Sequence, residues 1–249
     1  MVATPGRSGA RRGLAVVAGV LLVAVGAVAL LWNLGRSTTS TSAEFPEPVD
    51  RVVIDAEGGV VLTAGEIAGA RVEAEWLIRS PDVSITLEGS TMRIVARCGF
   101  PAIACRNRVD ATAPADAAVE VVTSAGTVRV AGFRSGIDLT TSAGDVRLTD
   151  IVGDAVLRSS AGSIEGDITD GNVDAETSAG RISLEIRGTF TDVSAITSAG
   201  SITLTLPDGV YRVDTATSAG SVTVEVPTDP ASDIRVTART SAGSITIRN

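Results

Sequence analysis

The chain has 249 residues, 44% of them hydrophobic, which is enough for one large domain or two small ones. All 21 basic residues are arginine and no histidine is present, which excludes histidine-based triads and zinc sites, P-loop lysines and Schiff-base lysines. The acidic residues all follow Ala43, so the remainder carries 29 acidic residues and a net charge of about −12, which disfavours a nucleic-acid partner.

The N-terminal segment combines a basic tail with an apolar run. Arg7, Arg11 and Arg12 lie in the tail, and Gly13–Trp32 is a run of 20 uncharged, nearly all apolar residues. As a helix this run would span about 30 Å, the thickness of the hydrocarbon core of a bilayer. We therefore predict a transmembrane helix at residues 13–33, with residues 1–12 as a short cytoplasmic tail according to the positive-inside rule. A cleaved signal peptide is the alternative, although its apolar region is normally only about 7–15 residues long.

Two less regular segments follow. Residues 34–50 are rich in serine, threonine and proline, and we predict a flexible linker there. Residues 51–118 contain short alternating apolar runs divided by Gly, Pro, Asp and Ser, which is typical of strands. We interpret residues 51–118 as irregular N-terminal β coils, because a repeat stack needs atypical units at its ends. Residues 56–62 resemble a decayed corner of the repeat described below.

Cys98 and Cys105 are the two cysteines of the chain, and six residues separate them. In an exported domain, two cysteines this close are expected to form a disulfide that closes a short loop. Their spacing fits neither a CxxC redox pair nor a four-ligand metal site. Two buried free thiols are the alternative.

Residues 119–249 are organised around a tetrapeptide that recurs seven times. The sequence Thr-Ser-Ala-Gly, with Ser for Thr in one copy, begins at Thr123, Thr141, Ser159, Thr177, Thr197, Thr217 and Thr240. The copies start 18 to 23 residues apart, and such a near-fixed period is the signature of stacked units. Apolar residues alternate with period two on both sides of most copies, which predicts strands rather than helices.

The alternation slips by one residue at the Gly of each motif, which indicates a corner. We therefore predict an all-β fold, a single-stranded parallel β-solenoid with coils of 18–23 residues. The Thr and then the Ala of each motif are expected to face inward, with each Thr hydroxyl bonded to its equivalents above and below. An up-and-down stack of hairpins would share the alternation, but identical residues lie directly on one another only in parallel register.

The last repeat stops in mid-strand at residues 245–249, with no recognisable cap. An uncovered sheet end invites another chain to pair with it. We therefore predict self-association, or docking of a partner, through the C-terminal end of the solenoid.

Outward positions of the last coils are rich in hydroxyl groups. The residues four and six positions after the motif Thr form a Ser-x-Thr strip two columns wide, made of Ser201, Thr203, Ser221, Thr223, Ser244 and Thr246. We interpret this strip as a candidate binding face for polysaccharide or other envelope material, with ice binding as a less favoured interpretation. The alternative is that Ser and Thr are simply suitable solvent-facing strand residues.

Acidic side chains form another outward column, three positions before the motif Thr. Glu120 and Asp138 would repel each other unless a cation, Arg129 or Arg147 relieves them. Arg158 and Glu176 should pair across coils. A polysaccharide-lyase site would need a basic proton acceptor, and arginine is unsuitable because it stays protonated. We predict no catalytic, cofactor-binding or metal-binding residues.

The recurring [Thr/Ser]-Ser-Ala-Gly-x-[Ile/Val]-x-[Leu/Val] motif, the short Gly-punctuated strands and the single N-terminal span resemble the bacterial toast-rack family of candidate adhesins, a family of unknown function. The Cys98–Cys105 loop followed by Val109–Asp116 is similar to actinobacterial members. The resemblance covers residues 52–249 and rests on the style of the repeat. It implies a β-solenoid outside the membrane, linked to adhesion or envelope-stress sensing, and carries over no catalytic residue.

These patterns predict a non-enzymatic, single-pass protein of the cell membrane with a cytoplasmic N-terminus and an extracellular adhesin-like binding or scaffold domain. Its expected partners are the membrane and a cell-wall polymer or envelope protein, and no cofactor is expected. The alternative is an envelope-stress sensor or regulatory subunit, which would need a membrane partner because 12 residues are too few for a folded cytoplasmic domain. A carbohydrate-active enzyme is the least favoured hypothesis.

Overall fold

The computed structural model describes residues 37–99 and 105–249, and within them every regular element is a β-strand. The strands are β1 (Ser37–Phe45), β2 (Arg51–Ala56), β3 (Gly59–Ala64), β4 (Ala68–Trp76), β5 (Asp82–Glu88), β6 (Thr91–Arg97), β7 (Arg106–Ala113), β8 (Ala118–Ala125), β9 (Val128–Ala131), β10 (Ile137–Ala143), β11 (Val146–Val152), β12 (Ala155–Ala161), β13 (Ile164–Thr169), β14 (Val173–Ala179), β15 (Ile182–Arg187), β16 (Asp192–Ala199), β17 (Ile202–Thr205), β18 (Arg212–Ala219), β19 (Val222–Val224), β20 (Arg235–Ala242) and β21 (Ile245–Arg248). The predicted cytoplasmic tail and transmembrane helix, residues 1–12 and 13–33, lie outside the described residues. In the described part of the chain no helix is long and apolar enough to cross a membrane.

The strands form because every second side chain is apolar and is buried between two sheets. Ile137 and Leu139 before one corner, and Val146 and Leu148 after it, are each at most 3% exposed, while the residues between them point away from the core. Full burial of such a side chain contributes about 1.5–3 kcal/mol to stability. The core is a thin double layer of Val, Ile, Leu and Ala that runs along the stack.

Two sheets enclose this core. The first sheet has 11 strands in the order β1-β4-β7-β3-β9-β11-β13-β15-β17-β21-β19, and the second has 10 in the order β18-β20-β16-β14-β12-β10-β8-β2-β6-β5. Neighbouring strands of the regular coils are parallel, as in β10 with β12 and β13 with β15. Antiparallel pairing joins β1 to β4, β4 to β7 and β5 to β6. The predicted all-β stack of parallel coils is thus confirmed, with an antiparallel group at one end.

The coils do not stack in the order of the sequence. The coil of β2 and β3 lies between the coil of β6 and β7 and the coil of β8 and β9, so an N-terminal segment becomes an interior layer. At the other end, the coil of β20 and β21 lies between the coil of β16 and β17 and the coil of β18 and β19. Residues 225–234 connect β19 to β20 and bring the chain back to this interior position.

The prediction that residues 245–249 form the uncovered end of the solenoid is therefore wrong. β21 is an interior strand of the first sheet, because it pairs with β17 on one side and β19 on the other. Within the described residues the uncovered coil is β18–β19, whose two strands end their sheets. The sequence conceals this exchange because all seven corners carry nearly the same tetrapeptide, so any coil fits any neighbour.

The prediction of a flexible linker at residues 34–50 is also wrong for most of residues 37–50, the part that the structure describes. Ser37–Phe45 forms β1 and pairs antiparallel with β4, from Ser37 opposite Trp76 to Phe45 opposite Ala68. The edge of β4 offers unpaired backbone groups, and Ser and Thr are well suited to an exposed strand. Phe45 packs against the core and anchors one end of β1.

Five of the seven corners are held by a hydrogen bond that crosses to the neighbouring coil, whereas the buried hydroxyls of Thr141 and Ser159 have no hydrogen-bond partner among the described residues. Thr177 Oγ1 donates to the carbonyl oxygen of Gly162 at 3.1 Å, and Thr197 Oγ1 donates to that of Gly180 at 3.2 Å. The equivalent bonds run from Thr123 to Gly58, from Thr240 to Gly200 and from Thr217 to Gly243. The motif Thr faces inward as predicted, but its hydroxyl bonds to a glycine carbonyl rather than to other hydroxyls.

The motif Ala does not face inward as predicted. The chain already turns at the Ser, so the Ser and the Ala are both exposed in every copy. The following Gly is required by geometry. Gly200 has a φ of +152°, and a Cβ at this position would lie 1.8 Å from the carbonyl oxygen of Gly180.

Candidate binding face

The first sheet ends in a surface of hydroxyl groups. The neighbouring strands β17, β21 and β19, with the residues just before them, present Ser201, Thr203, Ser244, Thr246, Ser221 and Thr223 in that spatial order. The strand register places Thr246 opposite both Thr203 and Thr223. All six residues predicted from the sequence are therefore brought together, with the last two coils exchanged. These six residues are called the hydroxyl face below.

The core fixes the direction of these side chains. Ile202, Leu204, Ile245 and Ile247 point inward and are fully buried. Successive residues of a strand point to opposite sides, so the residues beside them point outward. The rows of β17 and β21 are half-buried by their neighbours, and the row of β19 is exposed.

The two columns of the hydroxyl face differ in their hydrogen bonds. Ser221 Oγ donates to Ser244 Oγ at 3.1 Å, and the backbone N–H of Ser244 donates to Ser201 Oγ at 3.4 Å. Within the described part of the chain, the hydroxyls of Thr203, Thr223 and Thr246 have no hydrogen-bond partner. The threonine column is therefore free to donate to and accept from an external molecule.

Sequence reasoning missed two extensions of this surface. Ser183 in β15 lies opposite Thr203 and continues the threonine column by one row. The Ser of the motif is exposed in all seven copies, so a column of corner serines runs beside the hydroxyl face. Both extensions could have been read from the repeat. Ser183 lies six positions after Thr177, as Thr203 does after Thr197, and every motif contains the corner serine.

Ion pairs lie on both sheets, and those of the predicted acidic column lie on the second sheet. Arg158 donates to Glu176 at 2.9 Å, as predicted, and also to Asp174 at 2.7 Å. Glu120 forms its ion pair with Arg51 of the interior β2 layer, at 2.6 Å, rather than with the predicted Arg129 or Arg147. All of these side chains are substantially exposed, so each pair contributes about 0–1 kcal/mol. The acidic column is thus a solvated and partly neutralised surface.

The pKa shifts in the structure have local causes. Hydrogen bonds from the backbone N–H and the hydroxyl of Thr189 hold the pKa of Asp170 below its ordinary value. Burial and the nearby carboxylate of Asp208 raise the pKa of Tyr211. Neither group belongs to the hydroxyl face. In residues 37–99 and 105–249, no group of three or more His, Cys, Asp or Glu side chains is placed to hold a metal ion.

Cys98 and Cys105 form a disulfide, as predicted, with their Cα atoms 6.0 Å apart. The backbone N–H of Cys98 donates to Glu57 Oε2 at 2.8 Å, and Glu57 lies at the corner between β2 and β3. Asn107 Nδ2 donates to the carbonyl oxygen of Ala96 at 2.6 Å. These contacts tie the disulfide to the layer formed by β6 and β7 and to the interior layer beside it.

Residues 82–248 match the profile of the Toastrack DUF4097 family. The chain belongs to this family. The Toastrack match begins at the first residue of β5 and includes all seven motifs. The strands β1–β4 precede the matched region, yet the coil of β2 and β3 lies inside the Toastrack stack. No curated protein sequence matches the chain.

Several solved structures resemble the Toastrack chain in fold. A candidate adhesin from Bacteroides fragilis is 14% identical in sequence and has a TM-score of 0.49. The superposition covers 86% of this chain and 97% of the adhesin chain. A candidate adhesin from Parabacteroides distasonis is 12% identical, with coverages of 85% and 97% and a TM-score of 0.45. A candidate cell adhesion protein from Clostridium sporogenes is 11% identical, with coverages of 85% and 99% and a TM-score of 0.41.

Proposed function

We propose that this chain is a non-enzymatic cell-envelope protein whose solenoid binds a cell-wall polysaccharide outside the cytoplasm. Residues 13–33 would anchor it in the membrane as a single-pass protein. The hydroxyl face is the observation that carries the proposal, because its six residues are uncharged and lie on three neighbouring strands of one sheet.

The chemistry of the hydroxyl face suits a neutral, hydroxyl-rich polymer. Each free threonine hydroxyl of the column can donate one hydrogen bond and accept two, as sugar hydroxyls also can. Neighbouring strands place these groups about 4.8 Å apart, so an extended chain crossing the strands would meet them in a regular series. The net negative charge of the solenoid would repel an acidic polymer, which favours a neutral one.

Two features support a location outside the cytoplasm. The Cys98–Cys105 disulfide is of the kind that persists in oxidising compartments and is rare in the cytosol. The arginines of residues 1–12 favour a cytoplasmic position for that tail, which directs the solenoid to the other side of the membrane.

Binding is tested with the full-length chain in detergent and insoluble, uncharged cell-wall polysaccharide. The variant Thr203→Val, Thr223→Val and Thr246→Val keeps the branched side chains and removes the column of hydroxyls, and we expect it to lose retention on the polysaccharide at least tenfold. The control Thr140→Val, Thr149→Val and Thr237→Val makes the same change elsewhere on the outer surfaces. Equal retention of both variants, or no retention of the unmodified chain, would contradict the proposal.

Topology is tested by labelling whole cells with a membrane-impermeant maleimide. The native cysteines do not react while they form the disulfide. Ser178→Cys, at an exposed corner, should be labelled, and Ser8→Cys in the tail should be labelled only after lysis. The reverse pattern would overturn the proposed orientation.

A further inference from the structure

The end of the stack formed by β18 and β19 leaves part of the apolar core uncovered. Val222, the first core residue of β19, is 42% exposed. Its equivalents in the other regular coils are at most 1% exposed: Val128, Val146, Ile164, Ile182, Ile202 and Ile245. A groove of about 400 Å³ lies at this end, and its lining is Tyr211, Arg212, Val213, Thr215, Val224, Val226 and residues 228–230. We call this surface the open end.

The backbone of the open end is also unpaired. Arg212 N donates to Ile234 O beside β20, whereas Tyr211 N faces the other way and donates to Pro227 O. Backbone groups of a strand alternate between its two sides, so those of Val213 and Thr215 face away from β20. No strand covers them among the described residues. Only the position of Tyr211 is capped, by residues 227–229.

The usual protection of a sheet edge is confined here to the start of β18. Natural edge strands are guarded by charges, proline or bulges. Arg212 and Asp214 lie at the start of β18, but residues 215–219 and 222–224 contain no charged residue and no proline. The opposite end of the stack is different. There β1 and β5 contact each other, and Val83, Ile85 and Leu87 of β5 pack against the core.

We propose that two copies of this chain associate through their open ends. A partner must offer two strand edges that run in opposite directions, one sheet spacing apart, with apolar side chains between them. The open end of a second copy has this geometry. A two-fold rotation pairs β18 with β18 and β19 with β19, both antiparallel, so that both sheets and the core continue from one copy into the other.

The register and the charges are compatible with this pairing. Inward residues of β18 are odd-numbered, and their backbone groups face the partner. With Tyr211 capped and the carbonyl oxygen of Ala219 accepting from the backbone N–H of Gly243, the pairing joins Val213–Thr217 of both copies and is centred on Thr215. Asp214 then lies opposite Ala216 of the second copy, so that no like charges meet.

Association would extend the hydroxyl face from three rows to six, because β19 of one copy continues the first sheet of the other. This consequence rests on the proposed polysaccharide binding. The association itself does not, and its test measures the oligomeric state alone.

The test is sedimentation of the full-length chain in detergent over a range of concentrations. We expect the unmodified chain to dimerise and Val222→Lys to weaken dimerisation at least tenfold, because the joint would bury the ammonium group. Val122→Lys is the matched control, since Val122 is 44% exposed but lies on the outer face of β8. It should dimerise like the unmodified chain.

A second variant distinguishes a specific loss of dimerisation from misfolding of the chain. Val213→Lys places the charge on the other sheet of the open end and should weaken dimerisation to the same degree, and circular dichroism checks that each variant is folded. An unmodified chain that stays monomeric at all concentrations would overturn the proposal. A dimer that both folded open-end variants leave intact would also overturn it.

Discussion

Thr240 Oγ1 donates a 3.0 Å hydrogen bond to the carbonyl oxygen of Gly200, which lies 40 positions earlier in the sequence. The intervening motif, which begins at Thr217, instead bonds to Gly243 at 3.0 Å. These two bonds show that the last two coils have exchanged their order in the stack, so that the coil of Thr240 lies between the coils of Gly200 and Thr217. They also show how the motif joins neighbouring coils: the Thr hydroxyl of one coil donates a hydrogen bond to a glycine carbonyl oxygen of the coil beside it.

Removing one of these hydroxyls should destabilise the fold only where the bond exists. Thr177→Val leaves the Gly162 carbonyl without its partner and should lower the free energy of unfolding by about 1 kcal/mol. Thr141→Val is the control, because Thr141 Oγ1 is buried without a hydrogen-bond partner within the described residues. It should be neutral or stabilising. Urea denaturation measures both, and equal losses would contradict the assigned role of the hydroxyl.

The corner glycines should tolerate no side chain. Gly200→Ala would place a Cβ 1.8 Å from the Gly180 carbonyl oxygen in a backbone conformation with positive φ, and should cost more than about 2 kcal/mol. At Gly136 the nearest atom to a new Cβ is 3.6 Å away, so Gly136→Ala should be neutral. Thermal unfolding distinguishes the two. A Gly200→Ala variant as stable as Gly136→Ala would refute the close approach of neighbouring corners.

The local architecture could be predicted because its determinants are local. The alternation around Ile137 and Leu139 specifies strands, and the phase slip at each Gly specifies a corner. The order of the coils could not be predicted, because all corners are alike and the exchange depends on how residues 225–234 connect β19 to β20. For the same reason the columns of the hydroxyl face were predicted correctly and their row order was not. β1 was missed because its pairing depends on the distant edge of β4.

Tyr211 should remain neutral at a pH where an exposed tyrosine ionises. It is the only tyrosine of the chain, is 1% exposed and donates to the carbonyl oxygen of Pro207 at 2.6 Å. Its pKa is raised in the folded state, so its contribution to stability is present below the unfolded pKa of about 10 and is lost as the pH rises through the folded value. Ultraviolet titration should show a higher pKa for the native chain than for the urea-unfolded chain. Coincident curves would contradict the burial of the phenol.

The disulfide should stabilise the layer formed by β6 and β7. It closes a short loop, for which the chain-entropy argument gives about 2–3 kcal/mol. The double variant Cys98→Ser, Cys105→Ser should lose about this much in urea denaturation, and a reducing agent should then have no further effect on it. Two titratable thiols in the native, oxidised chain would refute the disulfide.

The central claim is that the coils stack out of sequence order, and cross-linking of cysteine pairs tests it most directly. In the structure Thr203 lies opposite Thr246, and Thr246 separates it from Thr223. Thr203→Cys with Thr246→Cys should therefore cross-link efficiently under mild oxidation or with a short bifunctional reagent, and Thr203→Cys with Thr223→Cys should not. Efficient cross-linking of the second pair and not the first would show that the coils follow the sequence, and would contradict this account of the fold and its open end.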